Sequence, residues 1–74
     1  MSEPLDLRGL KCPLPALMTR RALARAAAGS EIEVVADDPL AAVDIPHMCR
    51  QEGYEVVRVE RDGALARLTV RRPA

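Results

Sequence analysis

The run from Pro13 to Ala28 holds no glycine, is rich in Leu, Ala, Met and Arg, and is closed by Gly29. It reads as a helix of about four turns, with Pro13 in its tolerated first-turn position and Gly29 near its C-cap. Strand-like stretches flank it. Pro4-Leu5-Asp6-Leu7 alternates apolar and polar residues before breaking at Gly9, and Glu31-Ile32-Glu33-Val34-Val35-Ala36 runs into Asp37-Asp38-Pro39. Two strands joined through a helix lie parallel in one sheet, linked by a right-handed crossover.

Beyond this unit, Leu40 to Glu52 reads as a second helix. Pro46 interrupts it, which predicts a kink or a restart capped by Asp44. Ile45, Met48, Cys49 and Glu52 share one side, and Gly53 ends the helix. Two further strands, Tyr54–Val59 and Ala64–Val70, flank Asp62-Gly63, a strong hairpin signal. The order βαβαββ implies a two-layer α/β sandwich: a four-stranded mixed sheet with two helices on one face. One domain over residues 1–74 is expected, with no linker, repeat or low-complexity segment, and with fraying confined to the two or three residues at each end.

With 74 residues, no Trp, no Phe and one Tyr, the core has to come from Val, Leu, Ile, Ala and Met. A domain this short buries only about 60% of the surface of its unfolded chain, so an enclosed substrate cavity has little room. In the first helix, Ala16, Thr19, Leu23, Ala26 and Ala27 form one stripe, while Leu14, Leu17 and Met18 share the other side with Arg21 and Arg25. Two arginines do not suit a thin core. The Ala16/Leu23 stripe is therefore expected inside, leaving Leu14, Leu17 and Met18 at least partly exposed.

Eleven cations balance eleven acids, so nothing global draws the chain to nucleic acid or to an anionic membrane. Charge is nevertheless unevenly spread. Residues 1–29 hold five cations against two acids, and residues 30–62 hold nine acids against three cations. The segment around Cys12 is basic in sequence, which favours a thiolate and an acidic partner surface. The start Met-Ser-Glu-Pro-Leu-Asp resembles no signal peptide, and no apolar run approaches the ~18 residues of a membrane span. With two cysteines and no disulfide pattern, a cytoplasmic protein with reduced thiols is expected.

Cys12 stands where loop passes into helix, so the partial positive charge of the helix start favours its thiolate and predicts a lowered pKa. Pro13 and Pro15 remove two first-turn N–H donors, leave those of Leu14 and Ala16 to face the terminus, and stiffen the turn that aims the sulfur. Lys11 adds a neighbouring cation. Cys49 lies on the apolar stripe with Ile45 and Met48 and reads as a structural cysteine. Pro15 stands where a Cys-x-x-Cys motif would need its second thiol, and Cys12, Cys49 and His47 show no ligand-pair spacing for zinc. His47 reads as an exposed helix residue.

The run Arg8-Gly9-Leu10-Lys11-Cys12-Pro13-Leu14-Pro15, followed by Ala36-Asp37-Asp38-Pro39 and Asp44-Ile45-Pro46, closely resembles the TusA/SirA-like family of small sulfur carriers over nearly the whole chain. The resemblance implies that Cys12, the cysteine of C-P-x-P, accepts sulfane sulfur from a cysteine desulfurase, holds it as a persulfide, and passes it to an acceptor protein thiol. It implies a sulfurtransferase-type carrier rather than a stand-alone enzyme, serving tRNA 2-thiouridine formation, molybdenum cofactor maturation or sulfur oxidation. No cofactor beyond the transient persulfide and no metal is implied, and a working monomer is expected. Arg8, Gly9, Lys11, Pro13 and Pro15 would position or activate Cys12, and Leu14, Leu17 and Met18 would form the docking patch. Asp37 and Asp38 have two readings: caps of the helix that starts at Pro39, or, for Asp37, a place beside Arg8 or Cys12 on the docking surface.

Two other classes compete. One is a regulatory or protein-interaction module in which Cys12 senses oxidants or only packs; balanced charge and the lack of a helix-turn-helix pattern speak against direct DNA binding. The other is an anion-binding domain, with thiosulfate or sulfite held at the helix start by Arg8 and Lys11. Thiosulfate would also serve as a sulfur donor to Cys12.

Overall fold

Strict alternation in Leu65–Arg71 sets the centre of the sheet. Ala66, Leu68 and Val70 are buried on the helix side, while Leu65, Arg67 and Thr69 face the other way. The computed structural model describes residues 4–74 as β1 (Leu5–Asp6), α1 (Leu14–Arg25), β2 (Glu31–Ala36), α2 (Ala41–Glu52), β3 (Glu55–Asp62) and β4 (Leu65–Arg71). The sheet order is β1-β2-β4-β3. β1 pairs parallel with β2 through Leu5↔Val34 and Asp6↔Val35, and β4 runs antiparallel to both β2 and β3. The expected two-layer α/β sandwich is therefore the fold.

One apolar cluster lies between the layers: Leu7, Leu23, Val34, Ala36, Ile45, Cys49, Leu68 and Val70 are almost fully buried in it. α1 turns Pro15, Thr19 and Leu23 inward, with Ala16 and Ala26 half-buried and Ala27 exposed. The expected face is the buried one, rotated slightly toward Pro15. Thr19 satisfies its hydroxyl by donating to the Pro15 carbonyl at 2.8 Å, which allows a polar side chain in a dry position.

Several boundaries differ from the sequence expectation. Pro13 caps α1 instead of opening it, and the proline in the first turn is Pro15. α1 ends at Arg25 rather than Ala28 because Arg72 reaches across from the C-terminal segment. Its Nη1 donates to the carbonyls of Ala24 at 2.9 Å and Ala26 at 2.7 Å, and more weakly to Leu23 at 3.4 Å. The backbone of Arg72 also pairs with Gly29 and Ser30. Fraying was expected at both ends. At the N-terminus it concerns residues 1–3, which lie outside the described residues; at the C-terminus, Arg72 is tied into the structure.

α2 is one continuous helix, so of the expected kink or restart at Pro46 the restart capped by Asp44 does not occur. Pro46 removes a single N–H in the second turn, a cost outweighed by burying Ala41, Ile45, Met48 and Cys49 on one stripe. Asp44 is thereby freed from any capping role at Pro46. The hairpin loop is Gly63-Ala64, one residue later than expected. Asp62 still pairs with Leu65, and Gly63 takes φ +60° at the first loop position as a type II′ turn requires.

Replacing Arg72 with Ala strips charge-assisted bonds from the last carbonyls of α1. Because those carbonyls are only part-buried and water can replace some of the bonds, the loss should be about 1–2 kcal/mol. A urea titration followed by circular dichroism should show a lower midpoint with an unchanged slope.

Candidate functional site

Because β1 and β2 are parallel, their C-terminal ends lie at one edge of the sheet, and both helices begin there. This is where open α/β sheets place their sites. The chain leaves β1 through Leu7, whose N–H still donates to the Val35 carbonyl at 2.7 Å, then turns at Arg8-Gly9. Gly9 has φ +85°, a backbone conformation that strains any side chain even though the space around it is open. Its N–H donates to Asp37 Oδ1 at 3.0 Å.

Asp38 does more. Its Oδ1 accepts the Leu40 N–H at 3.0 Å, shaping the turn into α2, and its Oδ2 accepts the Cys12 N–H. The two aspartates that follow β2 thus hold the loop that follows β1. The expected cap of a helix starting at Pro39 is not made: α2 starts at Ala41 after Leu40 with no side-chain cap, and Asp38 shapes the turn before it, while Asp37 sits against the Arg8-Gly9 turn.

Cys12 is exposed and free, and its sulfur contacts Asp44 Oδ2 at 2.6 Å from the first turn of α2. The thiol proton is donated to a carboxylate. This hydrogen bond, then partial desolvation, then the charges of Asp44 and Asp38 push the Cys12 pKa up. The lowered pKa expected from the helix start is overturned. The Leu14 N–H, expected to face charge at the terminus, is taken by the Lys11 carbonyl at 2.8 Å, and two carboxylates outweigh what remains of the terminus.

The surroundings of Cys12 are accordingly acidic, not basic. Arg8 is committed to Asp6, with Nε to Oδ1 and Nη2 to Oδ2 both at 2.9 Å, beside Val35 and Arg67 on the uncovered sheet face. Its side chain is not brought to the thiol. Lys11 lines a shallow groove with Asp37 and Asp38, and its charge supports the ionised form of Asp38. Asp38 is held below the usual carboxylate range, first by the Leu40 N–H and then by the Cys12 N–H.

Cys49 is fully buried in the core, where burial pushes its pKa up, so it is no resolving partner for Cys12. His47 is exposed. Among the described residues, no group of three or more His, Cys, Asp or Glu is arranged to hold a metal ion, and no helix is long and apolar enough to cross a membrane.

Leu14, Leu17 and Met18 are 45%, 44% and 37% exposed. They line a groove on the outer side of α1 together with Arg20, Arg21 and Tyr54. A second groove of about 320 Å³ runs between α1 and α2, with Pro13, Leu17, Arg20, Asp44 and His47 in its walls. The two share Leu17 and Arg20, so an apolar surface edged with cations leads up to the Cys12–Asp44 pair. Leu40 and Val43, 53% and 58% exposed at the start of α2, extend the apolar character on the other side of Asp44. Sequence reasoning missed these two and gave Asp44 a capping role. A signal was available: at helical spacing Leu40, Val43 and His47 lie on the side opposite the buried Ala41, Ile45 and Met48.

A family model described as Sulfurtransferase TusA matches residues 3–72, which span every element of the fold. The chain belongs to the TusA family. Among solved structures, the crystal structure of a SirA-like protein from Desulfitobacterium hafniense is similar, with a TM-score of 0.80 and 25% identity over 96% of this chain and 97% of that one. TusA-family membership carries a role of the sulfur-carrier type, in a family whose members work with donor and acceptor proteins.

The low pKa values at the site have a consequence for acid stability. Asp6 is held down to about 2, chiefly by the Arg8 side chain and then by its backbone N–H. A carboxylate depressed in the folded state contributes stability that is present above its unfolded value, about 3.9, and lost as pH falls through the folded one. Asp6→Asn should lower the urea midpoint at neutral pH and flatten its fall between about pH 4 and pH 2 by the same amount, a small one because the pair is solvent-exposed.

Proposed function

We propose that Cys12 carries sulfane sulfur as a persulfide, received from a cysteine desulfurase and relayed to an acceptor protein thiol, as in tRNA 2-thiouridine formation. The observation that carries this reading is the exposed Cys12 at the start of α1, with no second thiol in reach because Cys49 is buried. A switch that closes an intramolecular disulfide needs a partner thiol, and a carrier needs none. Among the described residues the grooves beside Cys12 are open to solvent, which suits chemistry done between two docked proteins.

In the transfer, the Cys12 sulfur attacks the outer sulfur of the donor persulfide and displaces the donor thiolate. The new Cys12–S–S⁻ then offers its outer sulfur to the acceptor thiolate by the same step. Leu14, Leu17 and Met18 supply apolar contact for both partners in turn, and Arg20 and Arg21 beside them favour an acidic partner surface. Two partners using one exposed sulfur is consistent with a working monomer.

The geometry disfavours the anion-binding alternative. Arg8 is engaged by Asp6, and the charges nearest Cys12 are the carboxylates of Asp38 and Asp44, which repel thiosulfate and sulfite.

Incubated with a cysteine desulfurase and cysteine, the protein should gain the mass of one sulfur atom, and Cys12→Ala should gain none. Wild type that stays unmodified speaks against a desulfurase donor, and equal labelling of Cys12→Ala against the site. Met18→Glu should leave the melting temperature nearly unchanged and slow loading about tenfold, the cost of one lost apolar contact of about 1–2 kcal/mol at an interface.

A further inference from the structure

Among the described residues, the one group hydrogen-bonded to the Cys12 sulfur is Asp44. It comes from a different element than Asp38, which holds the Cys12 backbone, so the thiol is fixed at both its N–H and its S–H. Lys11 lies beside Asp38, and the groove onto which Asp44 opens also carries Arg20, His47 and Glu52. Among the described residues neither Lys11, Arg20 nor His47 forms an ion pair with Asp44, and Glu52 is itself an acid. The carboxylate therefore acts on the sulfur without a bound counter-ion.

We infer that Asp44 biases the carrier toward giving sulfur away, because its carboxylate accepts the thiol proton of the empty Cys12 and confronts a like charge once Cys12 bears a persulfide. This rests on the carrier reading above and deepens it. The exchange is Cys12–SH plus a donor persulfide anion, giving Cys12–S–S⁻ plus the donor thiol. One S–S bond forms as another breaks, the proton of Cys12 ends on the donor sulfur, and there is no net oxidation. On the left side the S–H···O bond to Asp44 stabilises the reactant; on the right side that bond is gone and the persulfide anion meets Asp44 across a short distance. Both effects favour the empty state. Asp44 is thus a positioning residue whose charge sets how readily sulfur leaves, and it keeps the idle thiol poorly nucleophilic.

The test uses Asp44→Asn, which keeps a hydrogen-bond acceptor and removes the charge. In the first measurement, the rate of Cys12 alkylation by iodoacetamide is followed against pH, with Cys12→Ser as the background for Cys49. The midpoint should drop in Asp44→Asn and the rate at neutral pH should rise on the order of tenfold. In the second, wild type and Asp44→Asn are equilibrated with glutathione persulfide and glutathione, and the loaded fraction is read by intact mass. The ratio of loaded to empty carrier should rise in Asp44→Asn by a similar factor. An unchanged alkylation profile or an unchanged ratio overturns the proposal.

Should Asp44→Asn not fold, wild type alone decides. A Cys12 alkylation midpoint at or below that of an unstructured thiol peptide overturns the proposal, and one above it supports it. Alkylation involves neither donor nor acceptor, so its outcome is separate from the question of whether Cys12 carries sulfur at all.

Discussion

The parallel pairing of β1 with β2 decides the arrangement of the whole molecule. Two residues of β1 suffice to set it, through Leu5↔Val34 and Asp6↔Val35. Parallel strands bring their C-terminal ends together, so the loop that carries Cys12 and the turn that carries Asp37 and Asp38 emerge side by side. Both helices then start at that edge. The Gly9 and Cys12 amides find their acceptors in the second turn, and Asp44, in the first turn of α2, lies over the sulfur. A site whose members come from three segments is thus built by one topological choice.

Much of the fold was legible in the sequence because it rests on local rules. The glycine-free run from Pro13, the alternation in Leu65–Arg71, and the glycines after the helices and in the hairpin each act over a few residues. What failed was tertiary. Arg72 shortens α1 from 46 to 49 residues away, and no window on either segment contains that information. Pro46 was read as forcing a kink or a restart because its local penalty is visible, whereas the burial of Ile45, Met48 and Cys49 that keeps the helix continuous depends on a partner layer.

Cys12 was legible as the candidate position, and its electrostatics were not. Along the chain, Cys12 has Arg8 and Lys11 as neighbours, and a basic setting follows. In space the sign inverts: Arg8 turns to Asp6, Lys11 supports Asp38, and acids 26 and 32 residues away in sequence contact the Cys12 backbone and sulfur. Sequence proximity ranks charges by chain distance, while the field at a sulfur depends on which groups point at it. Burial, by contrast, follows from helical spacing, which is why Leu14, Leu17 and Met18 are exposed as their pairing with Arg21 and Arg25 suggested.

β4, the centre of the sheet, is also its last strand in sequence. During synthesis β1 and β2 have only their two-residue pairing to hold them until β4 leaves the ribosome, and too little of the inner face is covered for α1 and α2 to dock. Non-local pairing of this kind makes folding a late and concerted event. Until β4 is paired, the layer that seats Asp38 and Asp44 beside Cys12 is incomplete, so the site is assembled only with the last strand of the fold.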